Sequence, residues 1–145
     1  MSPPLLHPFL LSTVMLLVCV GIHGVGLFSL NKALRSEANE ERIRRTTALS
    51  FRGAVFTLAI VLAMFALHGI EIWLYALLFL AVEAVPNLHD ALYFSTISYT
   101  TVGYNDEFVV EEWRLIGAFE AILGMVMIGW STAFFFRMLE RIDAH

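Results

Sequence analysis

The sequence predicts an all-α membrane protein with three transmembrane helices and one shorter helix between the second and the third. Of its 145 residues, 59% are hydrophobic and 15% are charged, whereas a soluble domain is about 45–50% apolar and about 25% charged. The net charge of −4 argues against nucleic acid as a partner. The apolar residues form three runs, each longer than the roughly 18 residues expected of a membrane span: Phe9–Leu30, Gly53–Val82 and Leu115–Phe136.

The first run is interpreted as a retained membrane helix rather than a signal peptide. No lysine or arginine precedes it and no clear small-residue cleavage site follows. Gly21, Gly24 and Gly26 indicate close helix packing. Cys19, the only cysteine, is expected to be a small buried side chain. Residues 1–52 are therefore assigned to an N-terminal transmembrane helix and a basic loop.

The basic residues predict how the chain is oriented in the membrane. Only Arg114 lies between the second and third runs, and the other eight of nine basic residues lie between the first and second runs or after the third. The positive-inside rule then places the 31–52 loop and the C-terminus in the cytoplasm, with the N-terminus and the 83–114 loop outside. The expected location is the cell (inner) membrane, crossed several times.

The second run is long, and a short helix is predicted after it. Thirty helical residues reach about 45 Å, against a hydrocarbon core of about 30 Å, so this helix must tilt or extend past the core. Pro86 ends it, and Asn87 is a plausible N-cap for a helix over Leu88–Tyr99 with Asp90 in its first turn. That helix is too short to span, so it and the irregular backbone after it must be a re-entrant element shielded by protein.

Polar side chains also lie inside the apolar runs. His68 and Glu71 stand three residues apart and share a helix face. In a membrane such a pair could sense protons, or it could be a hydrogen-bonded pair that ties the first helix to the second. Glu120, four residues before Gly124 and on the same face, is a costly intramembrane carboxyl and therefore a functional candidate. The scattered histidines suggest no metal site.

A short motif stands between the second and third runs, in the predicted outer loop. The chain reads Thr100-Thr101-Val102-Gly103-Tyr104 and continues with Asn105. A ring of four TVGYG-type loops replaces the hydration shell of a potassium ion with backbone carbonyl oxygens. Around the motif, ALYFSTISYTTVG (Ala91–Gly103) and WRLIGAFEAILGMVMIGWSTAFFF (Trp113–Phe136) resemble the pore-domain family of potassium channels. The whole chain resembles small bacterial ion channels that add one helix before this pore domain.

The resemblance implies a pore domain over residues 53–137, followed by a short cytoplasmic tail at 138–145. Its parts would be an outer helix (53–84), a pore helix (88–99), a filter (100–105) and an inner helix (115–137). Potassium would bind to the carbonyl oxygens of Thr101, Val102, Gly103 and Tyr104. Asn105 replaces the second filter glycine, and asparagine is the residue that best tolerates a left-handed backbone in its place. Its side chain could alter the outermost ion site.

The same resemblance implies roles for residues outside the filter motif. Gly124 would face the pore helix and let the inner helix bend, and Thr100 would support the filter. Ile97 stands where some relatives have a carboxylate behind the filter. Glu120 is expected to replace that brace, with Ser98 or Tyr99 as its partner, although cavity electrostatics or a water-exposed position are alternatives. The side chains that would face the cavity or inner gate are Ile128, Thr132 and Phe136.

The sequence therefore predicts passive conduction of potassium ions by a homotetramer embedded in membrane lipid. Four copies are needed because one loop supplies a quarter of the coordinating oxygens. No cofactor and no enzymatic activity are expected. Two other functions stay open: a weakly selective monovalent cation channel, in which Asn105 disturbs the filter, and a non-conducting membrane subunit or scaffold that keeps the channel fold.

Overall fold

The computed structural model of the chain is helical throughout its regular elements. It describes residues 5–35, 50–102, 106–107 and 109–143. The helices are α1 (Leu6–Leu34), α2 (Phe51–Ala81), α3 (Leu88–Tyr99), a 3-10 turn (Glu111–Trp113) and α4 (Arg114–Asp143). This confirms the predicted all-α fold class.

Three helices of the described part of the chain, α1, α2 and α4, are long and apolar enough to cross a membrane. They contain 29, 31 and 30 residues and so measure about 43–47 Å, which exceeds a hydrocarbon core of about 30 Å. α4 continues six residues beyond the predicted end at 137. Met138, Leu139 and Glu140 favour this continuation because they are good helix formers. The protein is a multi-pass membrane protein.

The end of α2 differs from the prediction for the outer helix, which placed it at residue 84. The helix stops at Ala81 because Glu83 adopts a left-handed backbone with φ 55°. The Glu83 N–H then donates to the Leu80 carbonyl at 3.1 Å, and the Ala84 N–H donates to the Phe79 carbonyl at 2.9 Å. This pair of bonds is a Schellman motif, in which a glutamate occupies the position that glycine usually takes. The chain has therefore left the helix before it reaches Pro86.

α3 begins where the sequence predicts. Asn87 has an extended backbone and its side-chain oxygen accepts a hydrogen bond from the Asp90 N–H at 3.0 Å. The Asn87 amide nitrogen also donates to the Asp90 carboxylate at 2.8 Å. The first bond pairs one of the four N–H groups that a helix start leaves unpaired. Together the two bonds hold the first turn of α3 with local side chains.

The chain divides into two compact units, here called the first unit (residues 1–21 and 69–127) and the second unit (residues 22–68 and 128–145). The first unit contains α3 and has an aromatic core. The rings of Phe79 and Phe94 meet edge to face with centroids 5.0 Å apart. Tyr75 on α2, Ile116 on α4 and Cys19 on α1 are all fully buried in the same core. α1 is thus part of the packing around α3.

The second unit has its own core of Leu34, Ile60 and Met138. Within this unit α1 and α2 approach closely, because a Cβ added at Gly26 would lie 2.7 Å from a methyl carbon of Leu67. The glycines of α1 were predicted to allow such packing. Gly21 does not take part among the described residues, since nothing lies within 4 Å of a Cβ placed there.

The Asn87 cap yields a stability prediction. Asn87→Ala should lower the free energy of unfolding by about 1 kcal/mol, because the Asp90 N–H loses its side-chain acceptor. Asn87→Ser should retain most of that stability, since its hydroxyl can accept the same bond. Thermal unfolding in detergent, followed by circular dichroism, would measure both variants. Equal midpoints for the wild type and the alanine variant would show that this cap contributes nothing.

Candidate functional site

The end of α3 delivers the chain to the predicted filter motif. The Thr100 N–H donates to the Thr96 carbonyl at 3.1 Å, and the Thr100 hydroxyl donates to the same carbonyl at 2.7 Å. The Thr101 N–H then donates to the Ser98 carbonyl at 3.1 Å. These bonds tie the start of the motif to the last turn of α3, whose carbonyl ends carry a partial negative charge.

The backbone turns sharply at Thr101. This residue has φ 55°, a left-handed conformation that is unusual for a β-branched residue and costs roughly 1–3 kcal/mol. Residues held in such conformations concentrate at functional sites. Val102 follows with 83% of its side chain exposed in the single chain. Gly103, Tyr104 and Asn105, the remaining predicted filter residues, lie outside the described residues.

A buried carboxyl group on α4 meets the middle of α3. Glu120 is fully buried and accepts a hydrogen bond from the hydroxyl of Ser95. The same hydroxyl lies 2.8 Å from the carbonyl oxygen of Ile72 on α2. Because a hydroxyl has one proton, Ser95 can donate to only one of these two acceptors at a time. Ser95 therefore connects α3 to both neighbouring helices of the first unit.

The partner that the sequence analysis named for Glu120 is wrong. It expected Ser98 or Tyr99, but the Ser98 hydroxyl is buried without a hydrogen-bond partner among the described residues. The sequence does carry a signal for Ser95. Gly124 was expected to face the pore helix, and Glu120 precedes Gly124 by four residues, as Ser95 precedes Tyr99. These one-turn spacings select Ser95 only once Gly124 is known to contact Tyr99, and that contact comes from the structure.

A second buried carboxyl group meets the last residue of α3. Glu71 on α2 is fully buried and Tyr99 is 1% exposed. The Tyr99 hydroxyl donates a hydrogen bond to the Glu71 carboxylate. The sequence analysis had paired Glu71 with His68 and had named Tyr99 only as a possible partner of Glu120. α3 is thus bonded to α2 at its end and to α4 one turn earlier.

Gly124 allows α4 to approach the end of α3. A Cβ at this position would overlap the carbonyl oxygen of Tyr99 and lie 2.7 Å from its carbonyl carbon. Both atoms belong to the backbone, so no side-chain rotation could relieve the overlap. Gly124 therefore faces α3, the predicted pore helix, and Tyr99 is contacted through both its backbone and its hydroxyl.

Comparison with known protein families identifies the family of this chain. A family model described as ion channel matches residues 63–141, which is more than half of the 145-residue chain. The chain belongs to this ion channel family. The matched range contains both buried carboxyl groups, all of α3 and Gly124. Searches of curated proteins and of solved structures each return no significant match.

Membership of the family assigns ion permeation across a membrane to this channel. The pore-domain elements that the sequence predicted lie largely inside the matched range, whereas α1 precedes it. The family describes channels, which conduct ions, and so favours a protein that is not an enzyme.

The described residues between the predicted filter motif and α4 are tied to the start of α4. The Arg114 guanidinium lies 3.3 Å from the Asp106 carboxylate and donates to the Val109 carbonyl at 3.3 Å. The Val110 N–H also donates to the Ala84 carbonyl at 3.0 Å. The Asp106–Arg114 pair is partly exposed, and such pairs are worth roughly 0–1 kcal/mol. The Asp106–Arg114 pair joins Asp106 to the first residue of α4.

The predicted cavity residues of the channel lie in the second unit. Ile128 and Phe136 are 40% and 59% exposed in the single chain, and Thr132 is also exposed. The Thr132 hydroxyl donates to the Ile128 carbonyl at 2.8 Å. Their role in a cavity stays a prediction.

The predicted pH-sensing pair of the channel takes partners from different helices. The His68 ring lies 5.2 Å from that of His23 on α1, and the His23 ring nitrogen Nε2 lies 3.1 Å from the Ser131 hydroxyl on α4. Glu71 accepts the hydroxyl of Tyr99. A pair that ties α1 to its neighbours was one of the two open interpretations, and these contacts favour it for His68. Proton sensing by His68 and Glu71 stays a prediction.

The close approach at Gly124 predicts a specific sensitivity to a methyl group. Gly124→Ala should destabilise the channel by roughly 1–3 kcal/mol, because α4 and α3 must separate to relieve the overlap. Gly129→Ala is the matched control on the same helix, since a Cβ there meets nothing within 4 Å. Thermal unfolding in detergent and size-exclusion chromatography would compare the two. Similar behaviour of both variants would contradict the close contact between Gly124 and the Tyr99 backbone.

Proposed function

We propose that this channel conducts potassium ions passively as a homotetramer. In this proposal the carbonyl oxygens of Thr101, Val102, Gly103 and Tyr104 coordinate the ion, and Asn105 lies at the outer end of the filter. The observation that carries the proposal is that α3 ends one residue before Thr100, and that the chain then turns at Thr101 directly into the Val-Gly-Tyr sequence. A filter needs this helix end, because its negative dipole stabilises a cation.

Assembly of four chains accounts for the exposure of the motif and of α4. Thr101 and Val102 are exposed to solvent in the single chain. Around a shared axis, these residues and their copies would surround the ion path. Ile128, Thr132 and Phe136 would line the cavity or the inner gate. The proposal requires no cofactor other than the permeant ion.

The proposed orientation puts the N-terminus outside and the C-terminus in the cytoplasm of a bacterial-type inner membrane. Its basis is the distribution of lysine and arginine along the chain. The segment between α2 and α4 would then face outward with an acidic surface that attracts cations. Its acidic residues are Glu83, Asp90, Asp106, Glu107, Glu111 and Glu112.

Glu120 is proposed to brace the pore helix in place of a carboxylate behind the filter. Its support is the hydrogen bond from Ser95 to a fully buried carboxyl group. A cavity-facing or water-exposed Glu120 is disfavoured in the single chain by this burial. Thr100 supports the same region through its two bonds to the Thr96 carbonyl.

A weakly selective cation channel is the second candidate, and Asn105 is the observation that favours it. This residue introduces a side chain where the family motif of potassium filters has glycine. Purified wild-type channel in liposomes or planar bilayers separates the two functions. A reversal potential that follows the potassium gradient supports the proposal, and one that shifts equally with sodium supports the alternative. No ion flux at any voltage would favour the scaffold.

Gly103→Ala tests the filter assignment directly. A side chain resists the backbone conformation that turns filter carbonyls toward the ion, so this variant should lose potassium selectivity or conduction while still forming tetramers. Gly129→Ala is the control and should conduct as the wild type does. Bilayer reversal potentials and native mass spectrometry would measure selectivity and assembly. Unchanged selectivity in Gly103→Ala would exclude this filter.

Glu120 offers a second functional prediction. Glu120→Leu removes the acceptor for Ser95 and should lower the stability of the channel by roughly 1–3 kcal/mol and reduce potassium flux. Glu120→Gln keeps an oxygen acceptor and should retain most of both. Thermal unfolding and liposome flux would be measured in parallel. Equal stability and equal potassium flux in Glu120→Leu and Glu120→Gln would show that the Ser95–Glu120 bond does not support function.

A further inference from the structure

Tyr99 is held at two points immediately before the filter motif. Its hydroxyl donates to the Glu71 carboxylate on α2, and its backbone carbonyl abuts Gly124 on α4. The Ser95 bonds hold α3 one turn earlier, but a last turn contacted at its backbone alone could still shift about the helix axis. A hydrogen bond from the hydroxyl at the end of the rigid Tyr99 ring opposes that movement, because the ring cannot move without breaking the bond.

The rotation of α3 determines the path of the residues that follow. The amides of Thr100 and Thr101 donate to carbonyls of the last turn of α3. A rotation of this helix about its axis would therefore move both residues with it. Thr101 has the left-handed backbone from which the motif departs. The position of Tyr99 therefore sets the direction in which Thr101 and Val102 leave the helix.

We propose that Glu71 is a positioning residue for the selectivity filter and acts through the hydroxyl of Tyr99. This role is distinct from proton sensing with His68 and from the brace at Glu120, which bonds α3 one turn earlier. It rests on the proposed function, since it assumes that residues 101–104 form the filter.

The chemistry of Glu71 supports a positioning role over simple helix packing. A carboxyl group inside a membrane protein is expensive to bury, and an apolar side chain of similar size would pack α2 against α3 at lower cost. A hydrogen bond between a phenol hydroxyl and a carboxyl oxygen is directional, because it weakens as the donor angle departs from linear. A directional bond to the final residue of α3 gives what apolar packing does not, namely one defined rotation of that helix.

The experiment combines two readouts on the full-length tetramer in nanodiscs. The first is amide hydrogen exchange at Thr100 and Thr101, whose bonds to the end of α3 depend on its position. The second is the potassium-to-sodium permeability ratio in bilayers. Tyr99→Phe removes one oxygen atom and keeps the ring, so it is the mildest test of the bond. Tyr93→Phe is the matched control, because Tyr93 lies on the same helix with 51% of its side chain exposed.

Tyr99→Phe and Glu71→Leu should each accelerate exchange at Thr100 and Thr101 by about tenfold, the size expected for losing one buried hydrogen bond. Both should lower the permeability ratio. Glu71→Gln retains an acceptor oxygen and should stay within about twofold of the wild type on the same scale. The Glu71→Leu/Tyr99→Phe double variant should match the more severe single variant, since the two changes remove the same bond.

The outcomes separate this proposal from the proposed function. A wild-type channel without potassium selectivity would overturn the proposed function, while exchange at Thr100 and Thr101 would still decide whether Glu71 positions them. Wild-type exchange rates in Tyr99→Phe would overturn the positioning role, as would additive effects in the double variant. If Glu71→Leu fails to fold, Tyr99→Phe compared with Tyr93→Phe still decides the question.

Discussion

The polar bonds that hold α3 are the constraint on which the rest of the structure depends. α3 has only 12 residues, and a helix of about 18 Å cannot reach across a bilayer. A re-entrant helix of this length must be shielded by protein, because lipid offers no partners for the backbone groups at its ends. Side chains of the protein hold it at both ends and along its length. Asn87 caps its start, Thr100 bonds back at its end, and Glu71 and Glu120 bond its side chains from two neighbouring helices.

The long helices and the start of α3 could be predicted because their signals are local. Runs of apolar residues identify spans by length and composition, and an N-cap acts within four residues of itself. The end of α2 was harder, since a Schellman motif usually announces itself with glycine and here Glu83 adopts the left-handed backbone instead. Pro86 was a visible breaker, but the helix had already ended before it.

The partners of the buried carboxyl groups could not be read from periodicity alone. Helical spacing shows which residues share a face, yet it does not show how each helix is rotated toward its neighbour. Glu71 and Tyr99 are 28 residues apart and Ser95 and Glu120 are 25 apart. The family match then established ion permeation, which no single contact could do.

The burial of Cys19 has a practical consequence for studying this channel. It is the only cysteine of the chain, and its thiol is free and fully enclosed in the first unit. Reagents that modify thiols from water would therefore leave the native protein unlabelled. A cysteine introduced at an exposed position such as Val102 or Thr132 would be the single reactive group, so spin labels or fluorophores could report on the proposed ion path without a cysteine-free background.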